Sequence, residues 1–273
     1  FSKNKNKIAC VIMEPITVNG PMSRPSGSTK WKDYNKKNNF LTDVKNLCKK
    51  NGALLVFDEV VTGFRYDMGG AQKMYDVIPD LSCWAKAMSN GIPISAITGK
   101  WEYIKYLEKT FFSFTYGGDC IGLAAAKATI NKIEKNNVID HLYKVGGRLK
   151  KGMNDLAKIY DLEDMIACAG YPCRSVMTIK KVGKYKKPLI TKSLIQQELM
   201  FRGVLWSQYH SISYSHKEKH IDYSLNAFED AFKKLKKIIK NNKNIENSLL
   251  GKPCETVFTR VADFQSVATS QKN

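Results

Sequence analysis

The stretch from Gly52 to Gly99 constrains this chain more than any other, through two islands. The first is GALLVFDEVVTGF, Gly52–Phe64. Ala53 to Phe57 is a short continuous apolar run entered through Asn51-Gly52, which suits a strand buried on both faces, as in a parallel sheet. It ends in two acids, Asp58 and Glu59, followed by Val60, Val61 and a Thr-Gly turn. Ligands of open α/β sheets sit at the carboxyl ends of strands, so Asp58 falls where chemistry is placed. The second island is CWAKAMSNGIPISAITG, Cys83–Gly99. It sets Lys86 among small residues just before Ser-Asn-Gly and Ile-Pro, a tight turn with little bulk around the amine.

An acid at a strand end and a lysine on a nearby turn suit a pyridoxal phosphate enzyme. The lysine forms the Schiff base, and the acid keeps the pyridinium nitrogen protonated so that the ring acts as an electron sink. Spacing alone is a weak signal, because most Asp and Lys residues are solvated surface.

With 273 residues and 43% apolar content, the chain can bury a sizeable core in one large domain or two modest ones. Its net charge of +19 raises the question of a nucleic-acid partner. Only six of the basic residues are arginines, and the lysines are scattered. Specific nucleic-acid readers lean on bidentate Arg, so a solvated lysine-rich surface and no nucleic acid is the expectation. The seven cysteines (10, 48, 83, 120, 168, 173, 254) form no C-x-x-C pair and no Cys/His cluster. They read as reduced, mostly core residues, with no metal site. No charged-then-apolar leader and no membrane-length apolar run is present, so a cytoplasmic protein without a membrane partner is expected.

Along the chain, Lys7–Pro15 reads as a strand and Ile16–Asn39 as a polar surface loop. Phe40–Lys50 has helical spacing, Ala71–Val77 is a short helix, and Leu81–Trp84 and Ile94–Gly99 are strands. Strands alternating with helices argue for an α/β fold with a mostly parallel sheet. A helix follows at Cys120–Lys135, entered through Thr115, Gly117, Gly118 and Asp119. That entry suits either an anion cradle or a plain start capped by Asp119. Beyond it come helices at Val138–Tyr160, Ile190–Phe201 and Tyr223–Lys240, with strands at Cys173–Lys180 and in Gly203–Ser213. Such a helix-strand-helix-strand-helix order suits a small α+β domain.

FDEVVTGFR, then GGAQKMYDVIPDL (Gly69–Leu81), then the Lys86 turn closely resemble the class III pyridoxal-phosphate aminotransferases, in the branch of glutamate-1-semialdehyde 2,1-aminomutase. The resemblance runs from Ile8 to about Arg260. It implies an aspartate-aminotransferase-like fold of type I, incomplete at its N-terminus. Residues 1–137 would be the C-terminal portion of the large cofactor-binding domain, 138–260 a small C-terminal domain, and 261–273 a tail. Lys86 would carry the cofactor and shuttle the proton, Asp58 would pair with the ring nitrogen, and Val60 would pack on the ring face. Thr115 would hold the phosphate of a neighbouring subunit, which implies a homodimer with shared active sites. Glu59 would face substrate or tie down the strand end. His216, in SYSHKEKHID (Ser213–Asp222), would face substrate or serve the structure. Small amino donors and acceptors are the implied partners. Among Arg24, Arg65, Arg174 and Arg202, Arg65 is the first candidate for a substrate carboxylate. The resemblance leaves open an aminotransferase of sugar or cell-surface precursors, and an inactive fragment acting as a partner chain. A basic, non-catalytic polyanion binder is the rival of another class.

Overall fold

A computed structural model describes residues 1–17, 20–21, 40–111 and 115–255. The order of elements along the chain is β1 (Cys10–Met13), β2 (Ile16–Thr17), β3 (Gly20–Pro21), α1 (Phe40–Lys50), β4 (Leu54–Asp58), α2 (Gly70–Tyr75), β5 (Leu81–Trp84) and β6 (Ala96–Gly99). There follow α3 (Trp101–Ile104), α4 (Cys120–Lys135), α5 (Val138–Ile159), β7 (Ile166–Tyr171), β8 (Arg174–Ile179), α6 (Pro188–Phe201), β9 (Tyr209–Ser211) and α7 (Glu218–Lys240). Apart from the short β2–β3 pair at its start, the 16–39 loop lies largely outside the described residues.

The chain gathers into two compact units. The first comprises Phe1–Gly152, Cys168–Met177 and Tyr209–Asp222. Its sheet has the order β1-β4-β5-β6, with β1, β4 and β5 parallel and β6 antiparallel at the edge. The continuous apolar run of β4 earns its central place, since Leu55, Val56 and Phe57 are all buried. Helix α1 leads into this strand by burying Leu41 and Cys48, and it stops where Gly52 turns at φ +66°. In the same unit α5 buries Val138, Leu142, Val145 and Leu149, a 3.6-residue stripe.

The second unit comprises Met153–Ala167, Thr178–Gln208 and Tyr223–Asn273. Helix α6 opens with Pro188 at its first turn, where a missing N–H costs nothing, and buries Leu194, Ile195 and Leu199 completely. Within the unit α7 contributes Ala227, Phe228, Ala231, Phe232 and Leu235, and Phe228 meets Trp206 edge-on at 5.7 Å. The buried Glu198 is compensated by Lys234 at 2.6 Å and Arg202 at 3.3 Å.

Three differences from the sequence reading stand out. A strand, β7, occupies Ile166–Tyr171, and the sheet β7-β8-β9 therefore has one more member than the periodicity indicated. Only Tyr209–Ser211 of the Gly203–Ser213 run pairs as a strand. The last helix starts at Glu218 rather than Tyr223, just after the Ser213–His216 turn. Of the cysteines, 48, 168 and 173 are buried, whereas Cys10 and Cys120 are exposed.

Candidate active site

Asp58 is the last residue of β4 and lies in parallel register with Cys83 of β5. Lys86 follows three residues later, so both sit at the carboxyl edge of adjacent parallel strands. Asp58 is half-buried, and its Oδ1 accepts a hydrogen bond from the Val60 N–H at 3.0 Å. Val60 is half-buried on the same turn.

Lys86 opens a single helical turn, Lys86–Met88, at φ +46°. That left-handed conformation is unfavourable for a residue with a side chain, and its neighbours fix it. The Met88 N–H donates to Ala85 O at 3.1 Å and the Asn90 N–H to Lys86 O at 2.9 Å. The buried Ser89 hydroxyl donates to Ile92 O and closes the loop. Lys86 is exposed and opens into a cleft of about 620 Å³. Gly91, Pro93, Ser95, Tyr116, Gly118 and Gly122 are among its walls. A Cβ at Gly91 or Gly118 would meet nothing within 4 Å, so the small residues leave real space beside the amine. Asp58 and Val60 are not among the lining residues of this cleft.

Glu59 points the other way. It has no exposed surface, and its carboxylate accepts from the Thr62 hydroxyl, from Ala71 N–H at 2.9 Å and from Gln72 N–H at 2.8 Å. Burial raises its pKa against these three donors. These bonds tie the end of β4 to the start of α2.

Arg65, half-buried, donates through Nη1 to Ile212 O at 3.0 Å and Cys173 O at 3.4 Å. Burial pulls its pKa below the usual arginine value. Nearby Arg174 keeps one buried nitrogen, Nη1, without a hydrogen-bond partner. Arg202 is committed to Glu198 and Asp230, and Arg24 lies outside the described residues. Thr115 stands exposed in the turn before α4. At that helix start Asp119 forms a cap, accepting from the Ile121 and Gly122 N–H groups. His216 is exposed, with Nδ1 held 3.0 Å from both the backbone N and the hydroxyl of Ser213.

Sequence reasoning missed the supporting set of Thr62, Gln72, Ser82 and Trp84. Gln72 Nε2 donates to Ser82 Oγ at 3.1 Å, and Trp84 Nε1 to Thr98 Oγ1 at 2.8 Å. The Trp84 ring packs so close to Gly63 that a Cβ there would lie 2.5 Å from it. A signal was present in the Thr-Gly turn and in the Gln of GGAQ, but nothing in the spacing linked either to β5.

The family profile of class-III aminotransferases matches residues 1–232. A glutamate-1-semialdehyde 2,1-aminomutase of Clostridium beijerinckii is 35% identical over 247 residues, covering 84% of this chain and 54% of that protein. One of Francisella tularensis is 35% identical over 173 residues, covering 62% of this chain and 38% of its own length. This chain thus spans about half, or less, of these curated relatives. Among solved structures, an omega-transaminase from Sphaerobacter thermophilus superposes with a TM-score of 0.71 at 18% identity, over 85% of this chain and 53% of that one. A transaminase with PLP bound gives 0.71 at 17% identity, over 86% and 54%. The fold is accordingly that of the pyridoxal-phosphate-dependent transaminases, and with the profile matched over most of its length the chain belongs to the class-III aminotransferase family.

Proposed function

We propose that this chain supplies the lysine-bearing part of a pyridoxal-phosphate-dependent amino-group transfer site. One observation carries the reading: Asp58 ends β4 and Lys86 stands two residues beyond the end of the adjacent parallel strand β5, on a cleft walled by small residues. A primary amine on one strand end and a carboxylate on the next are the groups that an aldehyde-bearing pyridine cofactor requires, and the open space at Gly91 and Gly118 leaves room on the amine side. When bound, pyridoxal phosphate supplies the electron sink that stabilises negative charge on the substrate carbon.

The chain's own groups do the rest. Lys86 Nζ would hold the cofactor at its aldehyde carbon, and the free amine would move the proton to and from the substrate carbon. The Asp58 carboxylate holds the proton on the ring nitrogen, Val60 packs on the ring, and Thr115 binds phosphate across a homodimer. Arg65 takes a substrate carboxylate, while Glu59 and His216 act on geometry. The dimer is supported by side chains left exposed between residues 92 and 123, including Trp101, Phe111, Tyr116 and Ile121. Small amino donors and acceptors are the substrates. Internal exchange within one substrate is favoured by the names of the relatives. Seven free cysteines fit a reducing, cytoplasmic setting, and no helix among the described residues is long and apolar enough to cross a membrane.

The test is borohydride reduction after incubation with pyridoxal phosphate, followed by peptide mapping. A pyridoxyl label on Lys86 that is absent from Lys86→Ala is the expected result. Label spread over surface lysines would overturn the reading.

A further inference from the structure

The residue after Asp58 closes a ring of hydrogen bonds onto β5, the strand that leads into the Lys86 turn. The Glu59 N–H donates to Cys83 O at 2.9 Å, three residues before Lys86. The Glu59 carboxylate accepts from the Gln72 N–H at 2.8 Å. Gln72 returns to β5 by donating through Nε2 to Ser82 Oγ at 3.1 Å, four residues before Lys86. The Thr62 hydroxyl and the Ala71 N–H donate to the other oxygen, Oε2, of the same carboxylate. Gly63 N–H donates back to Glu59 O at 2.8 Å, which pins the turn on which the Trp84 ring rests. Glu59 and Ser82 are both buried, so water does not compete for these bonds.

We propose that Glu59 is a positioning residue which, through Gln72 and Ser82, sets the placement of Lys86 relative to Asp58. The ring spans two strands and one helix start, so a change at Glu59 or Ser82 reaches the Lys86 turn without touching it. Lys86 sits in a left-handed conformation that its surroundings must enforce, which makes that turn sensitive to the seating of β5. The inference rests on Lys86 being the reactive amine. Its test therefore runs on the cofactor-free chain, where failure is separate from failure of pyridoxyl labelling.

Ser82→Ala cuts the return leg alone and leaves every bond of Glu59 intact. Glu59→Gln is the stronger change, because it turns one acceptor oxygen into a donor facing N–H or O–H groups. Two quantities are read: amide exchange across residues 83–90, and the rate of trace acetylation at Lys86 at one fixed pH, with Lys3 and Lys5 as surface standards. In Ser82→Ala, exchange at 83–90 rises about tenfold, the loss of one buried bond. The Lys86 acetylation rate at fixed pH changes relative to Lys3 and Lys5, whose own ratio stays that of the wild type. Glu59→Gln moves both quantities further. Unchanged exchange at 83–90 or an unchanged relative acetylation rate at Lys86 in Ser82→Ala, whatever the melting temperature, would overturn the proposal. Should Glu59→Gln fail to fold, Ser82→Ala decides alone.

Discussion

Ser175 Oγ and His210 Nδ1 lie 2.9 Å apart, on residues directly paired in register between β8 and β9. Both residues are buried, and Cys168 Sγ approaches the same ring nitrogen at 3.8 Å. Burial pushes the His210 pKa down to about 4, against an ordinary 6.5. The folded chain therefore keeps the imidazole neutral where the unfolded chain protonates it. Stability is complete above pH 6.5 and falls as pH drops from 6.5 to about 4, by roughly 3 kcal/mol at most. Urea unfolding at pH 7 and pH 5 should show this slope, and His210→Gln should flatten it. Equal slopes in both proteins would place the acid sensitivity elsewhere.

Lys86 at φ +46° leads to a comparison of two substitutions. Both Lys86→Ala and Lys86→Gly remove the amine and abolish pyridoxyl labelling. Glycine tolerates the left-handed conformation and alanine does not, so the glycine variant should be the more stable by about 1 kcal/mol. Chemical denaturation of the two side by side makes the measurement. Equal stability would mean that the turn relaxes when the side chain is lost.

At Gly63 the ring of Trp84 leaves no room for a methyl group. Gly63→Ala should cost about 1–3 kcal/mol by overpacking, and it should change the Trp84 fluorescence as the ring is pushed from Phe64, now 5.5 Å away. A melting temperature within error of wild type would show that the ring moves freely.

The Asp119 cap gives a smaller effect. Asp119→Ala removes the acceptor for the Ile121 and Gly122 N–H groups and should cost about 1 kcal/mol. Asp119→Asn should restore most of it. Thermal melts of both variants decide the matter.

Much of this was legible where a local pattern is dense. Phe40–Lys50, Leu81–Trp84 and Cys120–Lys135 form where their periodicity places them, because apolar spacing and end residues agree there. The strand Ile166–Tyr171 escaped because Ala, Cys, Ala and Gly provide no alternation, although its burial alternates strictly. Asp58 and Lys86 were readable as a strand end and a small-residue turn. The environments of Glu59 and Arg65 were not. Glu59 meets Gln72 thirteen residues on, and Arg65 meets Cys173 and Ile212 at separations of 108 and 147 residues. Such partners are chosen by the fold, and no spacing rule reaches them.

The two units are each built from three separated stretches of chain, taken alternately. During synthesis the first unit waits for Tyr209–Asp222 to leave the ribosome, long after its parallel sheet has been made. By then Met153–Ala167 and Thr178–Gln208 of the second unit have already emerged. The first unit has all its segments at Asp222 while the second still lacks Tyr223–Asn273, so a nascent chain arrested between Met153 and Asp222 carries two unfinished cores at once.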